Sequence, residues 1–155
     1  MKMKNKLLFI IAFCILSINL INAQSKEEKT TEEKIEKIKD AKEGDVIVFS
    51  DIIFYPDRDD IKPESYPVLE KIVQVLNERK DIILEITGYS NATGNPEREL
   101  LLSVNRALKV SKFLIKNGIE ANRIKTSGSG ALNLKESKTD EANRRVEIKI
   151  LKVIK

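Results

Sequence analysis

The stretch "LEITGYSNATGNPERE", Leu84–Glu99, decides the fold because it joins an apolar strand to a helix through a turn of small polar residues. The turn carries no charge between Gly88 and Asn95. Ligands of α/β sheets bind beyond the carboxyl ends of strands, so a binding site is expected at this turn. Its own groups are glycines, hydroxyls and amides, and charge for recognition must come from other segments.

The helix after the turn has clear start and end signals. Asn95 can cap it, Pro96 suits the first helical position, and acids follow in the first turn. Asn117-Gly118 predicts its end. Apolar residues cover well over half of its circumference, and the narrow polar side holds Arg98, Asn105, Lys109, Lys112 and Lys116. Such a helix is either deeply buried or keeps an apolar surface for a protein partner.

The flanking segments predict a further helix and three more strands. β-branched and aromatic residues, or alternating apolar residues, predict strands at 45–55, 81–87, 123–130 and 144–154, the first bent near Ser50-Asp51. Apolar residues at helical spacing predict a helix from near Pro63 to Asn77. The fold class is therefore α+β, in the order β-α-β-α-β-β, with a mixed sheet of about four strands packed on two main helices. The order of the first strand, the first helix and the second strand predicts a parallel, right-handed crossover.

The first 43 residues differ in composition from the rest. Residues 1–23 combine a basic start, an apolar run and a small residue, Ala23, which predicts a cleaved signal peptide. The apolar run is short for a membrane span. Residues 24–43 are mostly Lys, Glu and Thr and predict a charged linker, with Ile35, Ile38 and Ala41 as its apolar residues. The folded domain is predicted at 44–155.

Composition excludes several kinds of active site. The chain has no histidine, and its one cysteine, Cys14, lies in the predicted signal peptide. Disulfides, thiol nucleophiles, Ser-His-Asp triads and the usual zinc sites are therefore excluded. We predict no catalytic residue, no metal, no cofactor and no small-molecule substrate. Three of the 28 basic residues and none of the 24 acidic ones lie in residues 1–23, so the remainder has a net charge of about +1 and gives no signal for nucleic acid.

Four segments together resemble one known family. They are "IIFYPDRDDIKPES", "LEITGYSNATGN", "LLSVNRALKVSKFLIKNGI" and "NRRVEIKI", in this order and with near-family spacing. The sequence resembles the OmpA-like C-terminal domain, and the resemblance covers nearly all of residues 45–151. It implies a periplasmic or outer-membrane-associated module that binds peptidoglycan non-covalently and is not an enzyme.

The resemblance also implies a ligand and a site. In typical members the ligand is diaminopimelate of the stem peptide, whose free end carries an ammonium beside a carboxylate. An aspartate ends the family's "G-H-T-D" turn, and an arginine lies fifteen residues on in the "L-S-x-x-R-A" helix. Here these positions are Asn91 and Arg106, so the basic residue is present and an amide replaces the acidic residue. Since charge-assisted hydrogen bonds are stronger than neutral ones, we expect Asn91 to lower the affinity on the order of 10-fold.

Glu99 stands where the family usually has asparagine. It lies seven residues before Arg106 and shares a helix edge with it. One hypothesis is that Glu99 supplies the carboxylate that Asn91 lacks. The alternative is that Glu99 only favours the positive start of the helix.

Three further residues are predicted to border the site. Arg144 opens the arginine pair of "NRRV", which lies near the pocket in the family, or else it forms a structural salt bridge. Tyr55 and Asp57 follow the first strand and are expected at the same edge of the sheet.

Two functions remain open at this point. The first is peptidoglycan binding through Arg106, Asn91 and Glu99. The second is a structural or interaction domain of the same fold, with weakened or lost peptidoglycan binding, that docks a protein partner of the cell envelope through the apolar second helix. In both cases the protein is expected in the periplasm or at the outer-membrane periphery.

Overall fold

A computed structural model describes residues 30–92, 94–131 and 145–154. The chain divides after Glu33, and Lys34–Lys155 form the compact unit that contains the sheet. The described elements are α1 at 30–39, β1 at Val46–Phe49, α2 at Tyr66–Glu78, β2 at Ile82–Gly88, α3 at Pro96–Lys116, β3 at Ile124–Gly128 and β4 at Val146–Val153. In this part of the chain no helix is both long and apolar enough to span a membrane. The predicted signal peptide lies outside the described residues.

The four strands form one mixed sheet in the order β1-β4-β2-β3. β4 pairs antiparallel with both β1 and β2, and β2 pairs parallel with β3. The predicted α+β class and the β-α-β-α-β-β order are confirmed. β1 and β2 run in the same direction, as predicted, but β4 lies between them.

Most predicted boundaries agree with the structure to within a few residues. The exception is the first strand, which was predicted at 45–55. β1 ends at Phe49, and the chain bends at 50–52. After the bend, Ile53 N donates to Ser65 Oγ (2.7 Å), which ties this segment to the start of α2. Pro63 opens the short 3-10 turn that precedes α2, as its fixed φ favours.

The core lies on one face of the sheet, where every second residue of β2 is buried. α1 contributes to the same core through Ile35 and Ile38, and Ala41 follows. These three residues belong to the segment that composition assigned to a charged linker. Ile35 and Ile38 are three residues apart and lie on one face of α1, so they are buried while the charged residues between them stay in water.

A buried arginine satisfies backbone groups at the end of α2. Arg123 Nε donates to Ile82 O (2.9 Å), and its Nη2 donates to Leu76 O (3.0 Å) and Arg79 O (2.7 Å). Burial lowers the pKa of the Arg123 guanidinium. The last carbonyls of a helix have no partner within the helix, so this side chain caps α2.

Helix α3 lies unusually close to β2 and β3. A Cβ on Gly88 would stand 2.1 Å from Ser103 O, and one on Gly128 would stand 2.6 Å from Val104 N. The helix residues that face the sheet here are small, Ser103 and Ala107, and both are fully buried. Glycine on the strands and small residues on the helix therefore set the distance between the two layers.

Candidate functional site

A pocket of about 100 Å³ lies beyond the carboxyl end of β2, at the start of α3. Three segments form it. They are the turn at 55–60, called here the turn after β1, the turn at 89–95, called the turn after β2, and the first turns of α3. Its lining residues are Pro56, Asp57, Ser90, Asn91, Arg98, Glu99, Leu102 and Arg106. Because four of these carry a formal charge, two of each sign, the pocket suits a ligand with both an ammonium and a carboxylate.

Arg106 is the most deeply buried charge of the pocket, with 2% of its surface exposed. Its Nε donates to Arg58 O (3.0 Å) and its Nη2 donates to Tyr55 O (3.4 Å). Its Cζ lies 5.1 Å from the centre of the Phe54 ring. The guanidinium therefore has two roles, since it holds the turn after β1 and also presents a cation to the pocket.

Glu99 is the buried acid of the pocket, with 5% of its surface exposed. Its Oε1 accepts from Gly94 N (2.9 Å), which is one of the backbone groups just before α3. Asn95 caps the helix as predicted, because its side chain accepts from Arg98 N (3.0 Å). The carboxylate thus stabilises the entry to α3 and lines the pocket, so the two predicted roles of Glu99 are compatible.

The turn after β2 is held by backbone and side-chain bonds. Ser90 N donates to Gly130 O (2.8 Å), and Ser90 Oγ donates to Glu99 O (3.1 Å). The side-chain oxygen of Asn91 is buried. These contacts hold Ser90 against the first turn of α3, and the adjacent Asn91 lines the same pocket as Glu99.

The turn after β1 forms the opposite wall. Arg58 N donates to Tyr55 O (3.2 Å), and Tyr55 N donates to Asp60 O (3.1 Å). Asp57 has a φ of +53°, in the left-handed region that aspartate tolerates better than most residues. The tight turn directs Asp57 to the pocket. The side chain of Tyr55 is not part of the lining, and its ring lies 5.7 Å from Arg58 Cζ.

A second charged cluster supports the turn after β2 from the side of β4. Tyr89 OH donates to Glu147 Oε2 (3.0 Å), and Arg145 Nε donates to Glu147 Oε1 (2.7 Å). Arg145 Cζ stands 3.8 Å from the centre of the Tyr89 ring. Burial, together with the bond to Glu147, raises the pKa of the Tyr89 phenol, which therefore stays a neutral donor.

The structure brings four of the six predicted site residues together in the pocket: Asn91, Glu99, Arg106 and Asp57. Tyr55 contributes its backbone carbonyl instead of its ring, and Arg144 lies outside the described residues. Sequence reasoning missed Arg98, which the helical pattern assigned to the solvent side. Among the described residues, no group of three or more carboxylate, cysteine or histidine side chains could hold a metal ion.

Sequence comparison identifies the family of this chain. The sequence model of the OmpA family matches residues 53–147. Outer membrane protein A of Bordetella avium is 36% identical over 113 residues, which cover 68% of this chain and 57% of that protein. The peptidoglycan-binding protein ArfA of Mycobacterium tuberculosis is 33% identical over 101 residues, 63% of this chain and 31% of that protein. The chain thus spans about half, or less, of the length of these two relatives.

Solved structures give the same fold. An outer membrane protein from Borrelia burgdorferi is 30% identical, with a TM-score of 0.59, over 72% of this chain and 92% of that one. The periplasmic domain of Helicobacter pylori MotB is 24% identical, with a TM-score of 0.62, over 72% of this chain and 78% of that one. The second likeness concerns the fold alone.

Proposed function

Because this chain belongs to the OmpA family, whose sequence model matches residues 53–147, we propose that it binds the stem peptide of peptidoglycan without a covalent bond. The ligand group is the zwitterionic end of diaminopimelate. Arg106 binds its carboxylate, and the oxygen atoms of Glu99 and Asn91 accept from its ammonium.

The observation that supports this most is the pair of buried, opposite charges in one pocket. Arg106 and Glu99 are 2% and 5% exposed, and both line the cavity. Burial of a charge is costly unless it is paired or hydrogen-bonded, so a protein retains such groups where they have a structural or binding role. A zwitterion offers each of them an opposite charge at a spacing of a few ångströms. Asp57 and Arg144 border the same ligand in this proposal.

The proposed module acts by binding and not by catalysis. We place it in the periplasm or at the outer-membrane periphery, exported by a signal peptide at 1–23 and preceded by the charged segment 24–43. A peptidoglycan-binding relative supports the partner. The envelope setting is supported by relatives named as outer membrane proteins.

A second candidate function is docking of an envelope protein through α3. Leu100, Leu101 and Ile115 are exposed by 46%, 62% and 39%, although they belong to the predicted apolar arc. The helix buries a different face, which contains Ser103 and Ala107. An exposed row of this kind favours a protein contact, and Asn91 in the pocket favours weakened peptidoglycan binding.

Co-sedimentation with purified peptidoglycan sacculi tests the leading proposal through Glu99→Gln. Glutamine keeps an oxygen acceptor for Gly94 N but removes the negative charge from the pocket. We expect the native protein to co-sediment and the variant to bind about 10-fold more weakly, since a charge-assisted hydrogen bond becomes a neutral one.

The matched control is Glu97→Gln. Glu97 is an exposed acid in the same first turn of α3, and it does not line the pocket. This variant removes the same charge from the same helix end and should bind like the native protein. Equal binding by the Glu99 and Glu97 variants would remove Glu99 from the site, and no sedimentation of the native protein would favour the second candidate function.

A further inference from the structure

Once Arg106 and Glu99 bind a zwitterion, one cation and one acid of the pocket remain, Arg98 and Asp57. Arg98 lines the pocket beside Glu99, but its side chain is exposed where that of Arg106 is buried. One ammonium and one carboxylate are already matched by the buried pair. Arg98 therefore stands at the rim as an additional positive charge that the zwitterion does not use.

Helix stability does not explain a cation at this position. Arg98 lies in the first turn of α3, where the partial charge of the helix is positive and an acid is favoured. The neighbouring residues Glu97 and Glu99 follow that preference. A cation at this end of the helix is therefore unfavourable for helix stability.

Internal pairing does not explain it either. Within residues 30–92, 94–131 and 145–154, no carboxylate lies within ion-pair distance of the Arg98 guanidinium, and Arg98 uses its backbone N–H to donate to Asn95 Oδ1. Arg58 and Arg79, by contrast, pair with Asp60 at 2.5 Å and Asp81 at 2.8 Å. Among the described residues, therefore, no ion pair holds the Arg98 guanidinium as those of Arg58 and Arg79 are held.

Arg98 and Arg106 are placed to contact different groups of a ligand. They are eight residues apart, which corresponds to about 12 Å along the axis of α3. Arg106 is buried and donates to Tyr55 O and Arg58 O, whereas Arg98 is exposed at the rim of the pocket. The carboxylate that Arg106 binds lies at the inner end of the pocket, so Arg98 contacts a different group of the ligand.

We propose that Arg98 is a specificity-determining residue that binds a second carboxylate of the ligand. The pocket then prefers a stem peptide with two free carboxylates to one in which the second is amidated. This inference rests on the proposed function, because it assumes that the zwitterionic end of the peptide occupies the buried part of the pocket. Arginine suits the role because its planar guanidinium donates two parallel hydrogen bonds to a carboxylate.

Titration calorimetry with three synthetic peptides tests the inference. Each is a stem tripeptide that ends in meso-diaminopimelate with its zwitterionic end intact. In the first, the chain-terminal carboxylate and the glutamate carboxylate are free; in the second, the chain terminus is amidated; in the third, the glutamate is amidated. We expect the purified protein to bind the first peptide roughly 3- to 10-fold more tightly than one of the two amidated peptides. The peptide that binds more weakly shows which carboxylate Arg98 contacts, because that carboxylate is the one it lacks.

Arg98→Gln should abolish this preference without unfolding the protein, because it removes an unfavourable cation from the helix start. Lys112→Gln is the matched control, since Lys112 is an exposed cation of the same helix that does not line the pocket. It should keep the preference. The inference is overturned if the native protein binds all three peptides equally or if Arg98→Gln retains the preference. If the native protein binds none of them, the proposed function fails and the inference with it.

Discussion

Gly88→Ala is expected to lower the free energy of unfolding by about 3 kcal/mol or more. The new Cβ would stand 2.1 Å from Ser103 O and 3.0 Å from Ser103 C. Both are backbone atoms of α3, so no change of side-chain conformation relieves the clash. The helix must retreat from β2, which opens the interface that the small residues of both elements create. Urea unfolding followed by circular dichroism measures the loss.

Gly118→Ala is the control for this prediction. Gly118 follows α3 with a φ of +99°, and a Cβ there meets nothing within 4 Å. Its cost comes from the left-handed backbone alone, roughly 1–2 kcal/mol. The Gly88 variant should therefore unfold at a clearly lower urea concentration than the Gly118 variant. The opposite order would contradict the close approach of α3 to the sheet.

Arg106→Lys is expected to reduce sacculus binding by 10-fold or more and to lower stability by about 1–3 kcal/mol. Lysine keeps the charge but loses the planar fork that reaches Tyr55 O and Arg58 O while it faces the pocket. The turn after β1 loses its anchor, and the ligand carboxylate loses a bidentate partner. Sedimentation at a temperature where the variant is folded, together with urea unfolding, separates the two effects.

Arg123→Lys is the matched control for Arg106→Lys. Arg123 is also a buried arginine that donates to backbone carbonyls, but it lies outside the pocket lining. Its variant should lose a similar amount of stability and keep sacculus binding. If both variants lose binding equally, the effect of Arg106 acts through the fold and not through the ligand. Full binding by Arg106→Lys would also contradict the prediction.

The ends of α3 were predictable because their signals are local. Asn95, Pro96 and Gly118 each act on the backbone within a few residues, and the structure confirms the cap, the start and the left-handed residue after the end. The buried face was less predictable. Apolar residues cover so much of the circumference that periodicity does not select a face, and the close contact of Ser103 with the strands decides it.

The neighbours of each strand were not predictable from its pattern. Alternation shows that β4 is a strand with one buried face, and it does not show which strands pair with it. Only the three-dimensional structure shows β4 inserted between β1 and β2. Composition likewise did not reveal the burial of Ile35 and Ile38. Two apolar side chains have little effect on the average composition of a highly charged segment.

The pocket was predictable in part. The resemblance to a family gave Asn91 and Arg106, and helical spacing related Glu99 to Arg106. Arg98 was missed because the helix alone places it on the solvent side. The turn that contains Pro56 and Asp57 folds over the start of α3 and makes that side a wall of the pocket. Contacts between segments so distant in sequence leave no signal in either segment.

A titration followed by nuclear magnetic resonance tests the central claim most directly. The ¹⁵N-labelled protein is titrated with the stem tripeptide in which neither the chain-terminal nor the glutamate carboxylate is amidated. We predict saturable shifts of the Arg106 side-chain Nε–H and of the Ser90 and Asn91 amides. Shifts confined to the exposed row of Leu100, Leu101 and Ile115, or no shifts at millimolar peptide, would contradict the claim that this pocket binds the zwitterionic end of the peptide.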